Sequence, residues 1–198
     1  MNYQFSARNL AKDLSASVIA GLRPESANLL RLHEDCLQEL MTAKTQMQRP
    51  HPRDFLVSYL RKLNISIDPQ FLLNIQQHDE FEIWSPDFRF IGCSGAFLRI
   101  SSYKISQLLE MDWNDLFDRP PESLGAVLSA VERISNGERT IHGVTGWHTV
   151  RERHALKVEV EVDIKALTCG AAGDTNKPAA IIALISFRDR IPWGFGLV

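Results

Sequence analysis

Three histidines, His142, His148 and His154, sit at even positions of a strand-rich stretch, where residues of like parity share a face, so a metal site is the first chemistry to weigh. Arg151-Glu152-Arg153 turns the chain between the last two, and no Cys or acid stands at a ligand spacing. Polar edge-strand histidines are the expectation, with no metal. Gly92-Cys93-Ser94-Gly95 does not match the Gly-x-Ser-x-Gly elbow, and nothing identifies a base and an orienting acid for it. Gly143-Val144-Thr145-Gly146 lacks the Lys-Ser/Thr and the strand-to-helix context of a phosphate loop. Asp112, Asp115 and Asp118 recur every third residue, which reads as a solvated helix face or cap. No set of residues supplies a nucleophile with its base, so catalytic residues are expected to be absent and the work to be done by binding.

The bulk properties narrow the setting. A chain of 198 residues with 44% hydrophobic side chains can bury a core without staples. Cys36, Cys93 and Cys169 are few, odd in number and far apart, which excludes a disulfide framework or a Cys-x-x-Cys clip. No apolar run approaches the ~20 residues that cross a bilayer, and Met1-Asn2-Tyr3-Gln4 opens no signal peptide. A reducing cytoplasm, without membrane association, is expected. A net charge of −2 gives no general attraction to nucleic acid.

The elements that must position any site begin with a helical N-terminal arm. Pro24-Glu25-Ser26 starts a helix expected to reach about Gln48, with Leu30, Leu37, Leu40 and Met47 on a heptad-like seam that His33 and Lys44 interrupt. Arg49-Pro50-His51-Pro52 breaks it. A second helix, about Asp54 to Leu63, carries Phe55, Leu56, Tyr59 and Leu60 on one face, and a third starts at Asp68-Pro69 and ends near Gln77. These apolar faces require a cover. Three segments result: 1–77, helical with a break near 49–53; a domain over 78–190; and a tail over 191–198.

The domain opens on a hairpin, Phe81-Glu82-Ile83-Trp84, a Ser-Pro-Asp turn, and Phe88 to Gly92. Short helices follow near Gly95 to Ile100, Ile105 to Leu109 and Trp113 to Phe117. A longer helix runs from Pro121 to a cap at Asn136-Gly137, with Leu124, Leu128 and Val131 expected to face the sheet. Three strands complete it: about 139–150, 154–167 and 179–187. Leu156, Val158, Val160, Val162 and Ile164 alternate with charged residues, whereas Ala179 to Ile185 is apolar on both sides. That last strand needs a cover on its outer face, from an N-terminal helix or from a second subunit.

Phe88-Arg89-Phe90-Ile91-Gly92-Cys93-Ser94-Gly95-Ala96-Phe97-Leu98-Arg99-Ile100-Ser101-Ser102-Tyr103 resembles the strand, turn and helix that open a PAS domain, with Ser94-Gly95-Ala96-Phe97 in place of Asn-Pro-Ala-Phe and Ser102-Tyr103 in place of Gly-Tyr. Phe187-Arg188-Asp189 resembles the Arg-Asp that closes the last PAS strand. The resemblance spans Asp79 to Asp189 and implies an α+β fold, a PAS-like five-stranded antiparallel sheet with helices on one face, plus the N-terminal helical arm. It also implies that the last strand is central. Phe97, Ile100, Tyr103, Trp113, Leu116, Leu128, Val131, His142 and Trp147 then surround the space between sheet and helices, where they line a ligand pocket or fill a core. Haem is disfavoured because the long helix, Pro121 to Gly137, holds no histidine. Flavin is disfavoured because Cys93 precedes the helix and lacks the neighbouring Arg and Gln of the light-sensing motif; no other cofactor is indicated.

The function implied is a cytoplasmic sensory or regulatory module acting by small-molecule or protein binding. Its output passes through the N-terminal helices, where a homodimer is expected, or through a signalling partner in trans. Two rivals are an isomerase or hydrolase of the nuclear transport factor 2-like type, and a regulator whose N-terminal helices form a helix-turn-helix. A buried carboxylate of raised pKa in an open pocket favours the first. The scarcity of basic residues between Arg53 and Ile75 argues against the second.

Overall fold

A computed structural model describes residues 19–43, 51–76, 79–101, 103–112, 116–150, 156–169 and 178–192; for 43, 99–100, 147–150, 156–161, 168–169 and 186–192 the backbone alone is described. The elements in chain order are α1 (Pro24–Ala43), α2 (Pro52–Lys62), β1 (Ile65–Ser66), α3 (Pro69–Leu73), β2 (Glu80–Trp84), β3 (Phe90–Cys93), α4 (Gly95–Ser101), α5 (Ile105–Leu108), β4 (Phe117–Asp118), α6 (Pro121–Ser135), β5 (Thr140–Val150), β6 (Leu156–Cys169) and β7 (Ala180–Pro192).

Every strand pairing is antiparallel, and the sheet runs β3-β2-β7-β6-β5-β4, with β1 beside β6. The five long strands thus appear in the order second, first, fifth, fourth, third. With a helical cluster between the second and third, this is the PAS-like α+β arrangement. The last strand is central, as the resemblance implied. It runs on to Pro192, opposite Leu156, and so passes the boundary expected near residue 190.

Two apolar clusters fill opposite faces of this sheet. The inner one joins Phe97, Tyr103, Ile105, Leu108, Leu116, Ala130 and Ile134 of the helical cluster to Ile141, Ile164, Ile181 and Ile185 of the sheet. The outer one joins Cys36, Phe55, Leu56, Tyr59 and Leu60 of the N-terminal helices to Phe81, Ile83, Leu167, Ala180 and Ile182. Strand β7 divides its side chains between the two, which explains a sequence apolar on both sides. The cover is therefore this chain's own N-terminal helices.

Local chemistry places that cover. His51 caps α2 by accepting from the Arg53 N–H, Pro52 occupies the first turn with Asp54, and Arg61 and Lys62 close the negative end of the helix dipole. The Tyr59 hydroxyl donates to the Ile91 carbonyl at 2.7 Å, where a register shift in the β2–β3 pair leaves an acceptor unused. Its ring lies so close to β3 that a Cβ on Gly92 would meet it at 2.8 Å. The third helix is shorter than expected, ending at Leu73, and is held to β6 by Lys165, which pairs with Asp68 at 2.9 Å and lies over the Phe71 ring. The residues between α2 and α3 form β1, so the two helices do not make a helix-turn-helix.

Helix α1 ends at Ala43 among the described residues and straddles the β3 edge of the sheet. Leu30 enters the inner cluster and Cys36 the outer one. Its start is clamped by Arg23, which pairs with Glu110 at 2.8 Å, and by the Ser26 hydroxyl, which donates to the Leu109 carbonyl. The edge strand is thereby shielded from foreign pairing. His33, read from sequence as an interruption of the seam, is inside it: 2% exposed, with the rings of Phe55 and Tyr59 at 4.9 and 6.0 Å.

Helix α6 requires a correction. Its buried residues are Ser123, Val127, Ala130 and Ile134, the first three each one position before a member of the expected stripe, and Leu128 is 49% exposed while Leu124 and Val131 are half-buried. The helix is turned by about 100° from the expected orientation. Close approach explains it: Ser123 packs onto Gly146 of β5 so tightly that a Cβ there would meet its Oγ at 2.7 Å. Leu128→Ala should therefore change stability by less than ~0.5 kcal/mol, whereas Ile134→Ala, at 1% exposure, should cost about 2 to 5 kcal/mol. Urea melts of the two variants check the orientation; equal losses would contradict it.

Candidate functional site

The site grows out of strand β2, whose five residues are all buried. Phe81 and Ile83 enter the outer cluster, so the alternate residues Glu80, Glu82 and Trp84 turn to the inner face. Two carboxylates thus stand where a plain core would hold apolar groups. Glu82 is 4% exposed, lies opposite Cys93 on one side and Ala183 on the other, and accepts a hydrogen bond from the Trp84 indole N–H at 2.9 Å. Burial pushes its carboxyl up to about 7, against the opposing pull of the Arg119 charge and of the indole bond. Around neutrality Glu82 exchanges its proton.

The walls are aromatic. Trp84 meets Phe90 edge to face at 5.0 Å, Phe90 and Phe97 lie 6.4 Å apart, and Phe97 meets Phe117 at 6.2 Å. The Arg119 guanidinium stands over the Phe117 ring, 5.2 Å from its centroid. Ser94 sets the geometry of this corner: its hydroxyl accepts from the Phe97 N–H at the start of α4 and from the Phe81 N–H of β2. Cys93 is fully buried, and burial, with the negative charge of Glu82 and Glu80, raises its thiol well above the ordinary range. Such a thiol stays protonated and is no nucleophile.

Of the residues singled out by sequence, the structure brings Phe97, Tyr103 and Leu116 together in the inner cluster. Leu128 faces solvent, because of the close approach of Ser123 to Gly146, and Val131 is half-buried. His142 also lies away from the interior: its side chain is 72% exposed and stands 3.3 Å from Asp163. A bulge between Ile141 and Val144, with Gly143 at φ 66° and its N–H donated to Asp163, points Ile141 inward and His142 outward. The same bulge breaks the parity assumed for His142 and the residues beyond Val144. Ile100 in α4 and Trp147 in β5 are placed by backbone only, and Trp113 lies outside the described residues, as do His154 and Asp115. The short helix expected from Trp113 gives way at Phe117–Asp118 to β4, paired with Val150 and Thr149.

Sequence reasoning missed Glu82 and Arg119. The alternation of Glu80 and Glu82 with Phe81 and Ile83 looks like a strand with one wet face. The signal available was β7: a strand apolar on both sides needs neighbours covered on both faces, and β2 is its neighbour.

No family model and no curated protein sequence matches the chain. Among solved structures, the chain is similar to PAS-B of Drosophila melanogaster Cycle with bound ethylene glycol, at 11% identity and a TM-score of 0.46, over 55% of this chain and 98% of that one. A domain of a sensory box sensor histidine kinase/response regulator from Geobacter sulfurreducens gives 17% identity and a TM-score of 0.43, over 68% and 95%. The Rhodobacter sphaeroides LOV protein gives 13% and 0.44, and this chain covers 58% of it. What fixes the PAS-like fold is the strand order and the position of the helices. No helix among the described residues is long and apolar enough to cross a membrane.

Proposed function

We propose that this chain is a sensory or regulatory module that works by binding, with a small molecule held on the inner face of the sheet between Glu82, Trp84, Arg119 and the ring series Phe90, Phe97 and Phe117. Fold does not by itself specify function, so the reading rests on one observation at the site. Glu82 is a buried carboxylate, bonded to an indole and balanced by Arg119, in an otherwise aromatic interior. A buried charge costs stability unless paired, and an apolar residue would fill the same space more favourably. A few polar groups inside an apolar wall suit an orienting contact for a ligand. Output passes through the N-terminal layer, because α1 touches both clusters and meets β3 beside Cys93, the neighbour of Glu82.

The test is a thermal-shift screen of small polar-headed compounds against the wild-type chain and Glu82→Gln. Compounds that raise the melting temperature of the first and not the second support the reading; equal shifts in both place binding elsewhere.

The same carboxylate favours a second reading, acid–base catalysis, since a group that titrates near neutrality is suited to proton transfer. Glu82 is 4% exposed and the rings around it are buried as well, so a bound ligand and a substrate alike require this interior to open. Turnover of a screened compound that disappears in Glu82→Gln would establish catalysis; saturable binding without turnover supports the module.

A further inference from the structure

The N-terminal layer has a second surface, turned away from the sheet. Three of the four large apolar side chains exposed among the described residues belong to it: Met41, Val57 and Leu73, at 49, 41 and 62%. Val57 and Leu73 line a groove of about 480 Å³ between α2 and α3, completed by Arg53, Asp54, Ser58, Arg61, Pro69 and Leu72. Arg53, Val57 and Arg61 are spaced four apart, so they form a stripe with a guanidinium one turn to each side of an apolar centre. On α1, the neighbouring helix of the layer, Asp35, Gln38, Glu39 and Thr42 fall at helical spacing and line a second groove beside Met41. Glu39 is bound to Lys62 of α2 at 2.7 Å, which sets the acidic stripe of α1 directly beside the basic stripe of α2.

We propose that this surface is the interface of a homodimer, in which the Asp35 stripe of α1 in one copy lies in the Arg53–Val57–Arg61 groove of the other, and the reverse. The charge pattern argues for a second copy as occupant. One chain carries both a groove of net positive charge, Arg53 and Arg61 against Asp54, and a stripe whose acids are Asp35 and the already paired Glu39, side by side, and a two-fold axis brings each onto its counterpart twice. Apolar contact comes from Val57, Leu73 and Met41. A stable dimer buries on the order of 800 Å² per subunit, within reach of two helices and a groove. The outer sheet face is not available for this contact, since α1 and α2 already cover it. The surface is separate from the Glu82 site, and either proposal stands without the other.

Sedimentation velocity on the full chain at tens of micromolar tests it. The expected result is a dimer that weakens as salt is raised. The double variant Arg53→Glu, Arg61→Glu and the double variant Asp35→Lys, Gln38→Lys should each be folded by circular dichroism and monomeric. Mixed in equal amounts they should form a dimer again, because one interface half is native and the other is charge-reversed. Glu82→Gln should dimerise like the wild type. A wild-type monomer at this concentration, a dimer that survives both double variants, or a mixture that stays monomeric would each overturn the proposal.

Discussion

Stability between about pH 4.5 and 6.5 is expected to be nearly level in the wild-type chain but steep, with opposite signs, in two single variants. Burial lowers the His33 imidazole from 6.5 to about 4, with the neighbouring Cys93 backbone acting weakly the other way, and neither ring nitrogen makes a hydrogen bond of normal geometry. The unfolded chain protonates His33 through this range and the folded chain does not, so this contribution rises with pH from 4 to 6.5. Glu82 behaves in reverse. Its folded value of about 7 against 4.5 unfolded keeps a proton on the folded chain, so its contribution falls as pH rises through the same window. A shift of that size is worth on the order of 3 kcal/mol across its window, and the two nearly cancel. Glu82→Gln should leave stability climbing with pH, and His33→Phe should leave it falling. The exposed carboxylates of Asp68 and Glu138, held below their ordinary values by the Lys165 and Arg133 bonds, lose their contributions only as pH falls through the carboxylate range, below most of this window. Urea melts at four pH values decide it; a Glu82→Gln profile as level as the wild type would refute the opposed shifts of Glu82 and His33.

The second large effect concerns the outer layer. Phe81→Ala should cost about 3 to 5 kcal/mol, since Phe81 is fully buried and stacks with Phe55 of α2 at 6.4 Å. A chain that starts at His78 should fare worse still. It would present Phe81, Ile83, Ala180 and Ile182 to water as one continuous apolar face, and such a face promotes aggregation. Solubility and amide spectra of the shortened chain check this. A dispersed spectrum from a stable monomer would show that α1 and α2 are accessory to the fold, against the packing of the outer cluster.

Much of this architecture was legible in the residues. The alternation in β6, the cap at Asn136-Gly137 and the two-sided β7 each have a direct physical meaning, and β7 implied the covered outer face. Gly137, at φ 98°, closes α6 where its lack of a Cβ permits that conformation. The orientation of α6 was not legible, because its larger side chains, Leu124, Leu128 and Val131, outweigh Ser123 and Ala130 in any reading by hydrophobicity. Smallness decided it, and the need for small residues depends on Gly146, a partner remote in sequence. The two-residue strands β1 and β4 carry no pattern of their own and exist through their partners in β6 and β5. The candidate site was less legible: Phe97, Tyr103 and Leu116 do lie in the inner cluster, while Glu82 looked solvated until both faces of β2 were known to be covered.

Native mass spectrometry of the freshly purified wild-type chain beside Glu82→Gln tests the proposed binding site most directly, since it reports a non-covalent occupant whatever its chemical identity. The expected result is one small molecule per chain in the wild type, lost on denaturation and absent from the folded variant. Bare chain mass in both proteins, or an adduct that Glu82→Gln retains in full, would contradict a ligand site at Glu82.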